Sequence, residues 1–179
     1  MKKLILSILL VVLSLPVFAE TPEGDHRDSR KSEYLGKVSI VTPTIGLNTV
    51  HGAYFPSSRF FIGGSASSFL FGEVLFSNIS VHPEWYFSQR RKVDWSIALD
   101  VGVGKRYNIP GTLTDNGKEY YRPGCWENGL DFNFVPSIGM AVKFSEKIAL
   151  DIALRVEYHD DFRGYYWILT PMLSVGVRF

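Results

Sequence analysis

A single cysteine, Cys125, stands in the 179 residues, so no intramolecular disulfide can hold this fold together. Charge of one sign is equally scarce: 19 Lys and Arg face 18 Asp and Glu. A chain so balanced has no basic field to draw in a nucleic acid, and none is expected as a partner. Beyond the amino terminus there is no apolar run near the roughly 20 residues that a spanning helix requires, which excludes a helical membrane protein. What the chain does have is aromatic residues at 15%, with 16 Gly and 9 Pro. That composition suits a β protein with many turns.

The amino terminus reads as an export signal. Lys2 and Lys3 form a positive start, residues 4–15 an apolar core, and Val17-Phe18-Ala19 a small-residue cleavage site. The competing reading, a membrane anchor, fails because Pro16 ends an apolar stretch too short to span. Residues 1–19 are therefore the signal, and removing its two lysines leaves a mature formal charge of 17 − 18 = −1. Residues 20–33 are polar and charged with no large apolar side chain, the composition of a flexible periplasmic tail.

From residue 34 onward, side chains alternate between two chemistries with a period of two, the signature of strands. The last sixteen residues are the clearest case: Tyr165, Trp167, Leu169, Pro171, Leu173, Val175, Val177 and Phe179 oppose Tyr166, Thr170, Ser174, Gly176 and Arg178. Ile148, Leu150, Ile152, Leu154, Val156 and Tyr158 likewise oppose Asp151, Ala153, Arg155, Glu157 and His159, and the same rule runs through 130–144, 93–107 and 79–88. Earlier segments at 34–42, 44–55 and 59–70 bring the count to eight. The third is blurred by Gly63, Gly64 and several serines, and such strands specify register weakly.

Alternation also fits a soluble sandwich or a lipocalin-like barrel with its apolar face turned inward. The polar face here is largely Gly, Ala, Ser and charge, while the other is bulky for six or more alternate positions, in strands long enough to cross a bilayer. Aromatics such as Trp95, Tyr107, Phe132, Phe144 and Tyr158 fall near strand ends, where interfacial girdles belong. The expected fold is all-β, an eight-stranded antiparallel transmembrane β-barrel over 34–179. Links at 56–58, 89–92 and 145–146 are short and read as periplasmic; those at 71–78, 108–129 and 160–163 read as outer loops.

Leu173, Val175, Gly176, Val177 and terminal Phe179 resemble the C-terminal signal by which bacterial outer-membrane barrels are recognised for insertion. With the export signal and strand pattern, the chain resembles the small OmpA/OmpX-type barrels and, more loosely, the barrel proteins of Bacteroides-like bacteria. The resemblance implies a bacterial outer-membrane location, lipid as solvent, the barrel-assembly machinery as a partner, and a monomer. Such barrels serve structural, adhesive, stress-related or lipid-modifying roles, so it implies no activity.

Eight strands leave a lumen that side chains fill, against an open solute pore. Parity turns Glu84, Asp100, Asp151, Arg155 and Glu157 inward, where buried charges must pair. A structural network is the expectation, with Arg155 as the mid-height cation for Glu84, Asp100 or Asp151; an ion path is the alternative. His82 with Glu84 reads as core filling rather than a metal site, and no cofactor is expected. His159 lies at a strand-to-loop junction without a His-x-Ser pattern of the lipid A deacylase type, so catalytic residues are not expected and the chain reads as no enzyme. The 22-residue loop 108–129 is the best functional candidate. Asn116-Gly117 offers a tight turn there, Tyr120, Tyr121 and Trp126 offer contact surface for an extracellular partner, and a self-packed cap is the alternative.

Overall fold

In a computed structural model, the described residues are 32–89, 92–115, 118–145, 147–161 and 167–179. The export signal, nearly all of the tail, the tight turn expected at Asn116-Gly117 and parts of the links expected at 89–92, 145–146 and 160–163 lie outside them. Residues Ser32–Phe179 form one compact unit.

The strands are β1 Glu33–Thr42, β2 Ile45–Phe55, β3 Phe60–Phe71, β4 Val74–Gln89, β5 Val93–Asn108, β6 Gly111–Asp115, β7 Lys118–Arg122, β8 Cys125–Trp126, β9 Asp131–Lys143, β10 Ala149–Asp161 and β11 Trp167–Arg178. Eight of them, β1–β5 and β9–β11, pair antiparallel in chain order, and β1 pairs with β11 to close the ring. Closure leaves none of these eight strands with an open edge, the condition for a sheet to sit in hydrocarbon. The seam has Lys37 opposite Arg178 and Thr42 opposite Leu173. At its end Gly36 and Phe179 exchange backbone hydrogen bonds at 2.8 and 2.9 Å. The Phe179 ring lies where a side chain on Gly36 would collide with it.

The two faces of the wall differ as a membrane barrel requires. Leu154 is 63% exposed on the outer face while Arg155 and Glu157, its neighbours in β10, are 6% and 1% exposed inside. Ile40, Ile79, Val81, Leu169 and Val177 share the outer face, with Trp85, Phe87 and Trp95 toward one end and Tyr107 and Trp126 toward the other. A soluble lipocalin-like barrel would have the bulky face inside; here it faces out.

One expectation about the links is corrected. The outer link expected at 71–78 is only Gly72 and Glu73, because β4 begins at Val74 and pairs with β3 all the way from Phe71. Val74, Leu75 and Phe76 are apolar on both faces, so no alternation marked them as strand, and Gly72, at φ +58°, closes the turn in a conformation glycine tolerates. Within the connection between β5 and β9, β6 and β7 form a hairpin whose strands flank the position where a tight turn is expected, and β8 pairs with the end of β5. Near the opposite end of β4 the register shifts by one between Tyr86 and Ser88, a bulge in the wall.

Candidate functional site

The inward residues of all eight strands meet in a filled interior. Lys37 enters from β1 and places Nζ 2.7 Å from both oxygens of Glu84 on β4, with Asp151 of β10 at 3.4 Å. Glu84 also accepts from Ser96 Oγ at 2.6 Å and Tyr86 Oη at 3.0 Å. His82 lies between two carboxylates: Nδ1 is 2.7 Å from Asp100 and Nε2 is 3.7 Å from Glu84. Asp100 accepts in addition from Ser65 Oγ at 2.7 Å and Arg155 Nη2 at 2.9 Å. Arg155 stands 3.7 Å from Glu157, whose other oxygen is 3.2 Å from His159 Nε2. These groups form one continuous chain across the lumen, and each charge has an opposite neighbour, as burial demands.

Smaller clusters stand at each end. Toward the chain termini of the barrel, Asp94 receives Arg178 at 2.6 Å and Lys143 at 2.8 Å, and the Arg178 guanidinium covers the Tyr86 ring with its carbon 5.4 Å from the centroid. At the loop end, Arg106 holds Asp131 at 2.7 Å and Glu127 at 3.3 Å. Beside that pair the interior turns apolar: Val41, Phe69, Phe76 and Met172 pack together, and the Phe69 and Phe76 rings stack 5.0 Å apart. His159 lies against both rings, at 5.6 and 5.1 Å.

The structure thus brings Glu84, Asp100, Asp151, Arg155 and Glu157 into the interior, but pairs them differently from the expectation. Arg155 serves Asp100 and Glu157, whereas Glu84 and Asp151 belong to Lys37. Lys37 was visible by parity, opposite Val38 and Ile40; its height was not, since height depends on the shear around the closed ring. The bonds of Tyr86, Ser65 and Ser96 and the Asp94–Arg178 pair were missed for the same reason.

Tyr120, Tyr121 and Trp126 fall on the β5–β9 connection, all exposed, with Trp126 against Tyr107 at 5.2 Å. This connection is fastened to the β3–β4 turn: Ile109 N donates to Glu73 O at 2.8 Å, and Arg122 Nη2 to the Glu73 carboxylate at 2.6 Å. Cys125 is exposed and free. Leu173, Val175, Val177 and Phe179 face outward on the last strand and its end, with Gly176 turned inward against Ser39.

No family model and no curated protein matches the chain. Among solved structures it is similar to Neisserial surface protein A, with a TM-score of 0.58 over 83% of this chain and 98% of that one at 10% identity. It is also similar to the Yersinia pestis outer membrane protein Ail in a phospholipid bilayer nanodisc, with a TM-score of 0.47, 13% identity and 83% and 100% coverage. The first likeness is one of fold, a closed eight-stranded antiparallel barrel. The narrower likeness to Bacteroides-type families finds no support among these comparisons.

Proposed function

We propose that this chain is a bacterial outer-membrane protein whose barrel is a closed scaffold and whose β5–β9 connection is an extracellular contact surface. The observation that carries this reading is the fastened hairpin: the longest connection in the barrel is folded, tied to Glu73, and presents Tyr120 at 54% and Tyr121 at 73% exposure. Ordered exposed aromatics lose little entropy on binding, which is why they recur at contact sites. The charged, side-chain-filled lumen argues against solute passage. Residues 1–19 would direct export, and the Leu173-Val175-Val177-Phe179 face of the last strand would be read by the assembly machinery.

The test is cell fractionation with protease treatment of intact cells, followed by cell–cell aggregation of a strain expressing the protein. The protein should sediment with outer membranes and be cut within 109–130 while the Arg90–Arg91 turn is spared. Replacing Tyr120 and Tyr121 together with Ser should abolish aggregation without changing the amount in the membrane. Cleavage at Arg90 or Arg91 in sealed cells would invert the orientation. Nothing favours the lipid-modifying alternative: His159 is enclosed by Phe69, Phe76 and Glu157 inside the barrel rather than presented to the outer leaflet. A change in lipid A acylation between wild-type and deletion strains would revive it.

A further inference from the structure

The two ends of the barrel treat their cations differently. At the loop end Arg106 holds Asp131 and Glu127, and Arg122 holds Glu73. At the opposite end, where β1 begins and β11 stops, Arg59, Lys92 and Lys147 are exposed and form no ion pair among the described residues. Their neighbour Lys143 is committed inward, with its ammonium 2.8 Å from buried Asp94. The mature chain is nearly neutral overall, so this excess of positive charge is local to one rim.

The backbone sets the three along one arc. Arg59 O accepts from Tyr86 N at 2.9 Å, which seats the β2–β3 turn against β4. Lys92 O accepts from Lys143 N at 2.8 Å, joining the β4–β5 link to the end of β9, and Ser145 N reaches Ile148 O at 3.1 Å to close the turn that carries Lys147. Among the described residues no exposed carboxylate side chain stands on this arc; Glu33 and the terminal carboxylate of Phe179 belong to the seam between β1 and β11. In sequence the same links contain Arg90, Arg91 and Glu146, which lie outside the described residues.

Exposed aromatics line the lipid side of the same arc. Phe60 follows Arg59 and pairs with Trp85, whose ring lies 6.3 Å from that of Phe87. Trp95 follows Lys92 by three residues, and Phe144 precedes Lys147 by three. Rings at this level occupy the interfacial layer, so cations just beyond them stand level with lipid headgroups. Lys and Arg suit that place, laying an apolar stem along the rim while the charge reaches outward. A headgroup with a phosphodiester and no cation of its own complements three unpaired positive charges, whereas the choline or ethanolamine of a zwitterionic lipid competes with them. The arc is continuous with the lipid-facing wall, which favours lipid over a soluble anion. We propose that Arg59, Lys92 and Lys147 form a binding rim for anionic phospholipid of the phosphatidylglycerol class. The proposal rests on the membrane reading above, and the orientation given there makes this the periplasmic leaflet.

The test is electron spin resonance of phosphatidylglycerol and phosphatidylcholine spin-labelled on the acyl chain, with the full mature protein folded in phosphatidylcholine vesicles. The fraction of label slowed at the protein surface should be larger for phosphatidylglycerol, and high salt should shrink the difference. Arg59→Gln, Lys92→Gln and Lys147→Gln should each weaken the preference by up to about fivefold. The triple variant should abolish it while keeping the compact band of a folded barrel on an unheated gel. Lys105→Gln, which removes an exposed cation at the loop end, should leave it unchanged. Equal slowing of the two lipids by the wild type would overturn the proposal and pass the arc to another anionic partner. A preference that survives the triple variant, or that Lys105→Gln also removes, would overturn it too, since the selectivity would then lie elsewhere. If neither lipid is slowed, the membrane reading fails and takes the proposal with it.

Discussion

The middle of the lumen and its loop end are both lined by inward positions of the wall strands, with β1 and β4 contributing to each, yet they are built from opposite materials. At mid-height Lys37, Glu84, Asp100 and Arg155 interlock through charged hydrogen bonds. Toward the loop end Val41, Phe69, Phe76 and Met172 form a hydrocarbon plug. Direction along a strand tells which residues point inward, but the chemistry of an inward residue is set by its height. The two regions also fail differently: a charge network fails when one partner leaves its neighbour charged and dry, a plug when a void opens.

The largest effect separating them should come from Lys37→Met. It strands Glu84, 2% exposed, and Asp151 without their cation, and should lower unfolding stability in urea by about 3–5 kcal/mol. Adding Glu84→Gln to the same chain should recover much of the loss, because the carboxylate that needed Lys37 is gone. Unaltered stability in the single variant would mean that the network is solvated well enough to need no pairing. Phe76→Ala tests the plug, at about 3 kcal/mol from lost contacts and the cavity left behind. A second substitution in the network should not restore it.

The same contrast explains what was legible in the sequence. β10 could be read residue by residue, because every inward position from Asp151 to His159 is polar or small and every outward one is bulky. β4 could not be read from its start, because Phe76 points inward into the plug and breaks the rule that inward means polar. The partners in the network were hidden for another reason. Lys37 and Glu84 are 47 residues apart, Asp100 and Arg155 55, and Asp94 and Arg178 84. Only the closed register brings such residues to one level. In the outer connection Asn116-Gly117 marks a tight turn, but the short strands on either side of it carry too few alternating positions to be read as strands.

Between the interior and the lipid face the expected difference is smaller but still measurable. Leu154→Arg, near the middle of β10 on the outer face, should cost about 2–4 kcal/mol in a bilayer. Ala153→Ser, one residue away on the lumen side, should change stability little. If the two substitutions had equal effects, the assignment of faces would collapse.

The smallest effect on stability, and the sharpest contrast between wall and loop, is expected from Arg122→Ala. Arg122 Nη2 joins the β6–β7 hairpin to the Glu73 carboxylate at 2.6 Å and reaches Ile109 O at 3.4 Å. Its side chain is 30% exposed and that of Glu73 62%, so water and salt weaken the pair, and its loss should ease opening of the hairpin alone by no more than about 1 kcal/mol. The backbone bond from Ile109 to Glu73 would remain, and the barrel below should unfold at the wild-type urea midpoint. The hairpin should open more often, and chymotrypsin should cut faster at Tyr120, Tyr121 or Trp126, with high salt producing part of the same acceleration in the wild type. A lowered midpoint with unchanged cleavage would show that the clamp holds the wall rather than the loop, and the division of labour drawn here would fail.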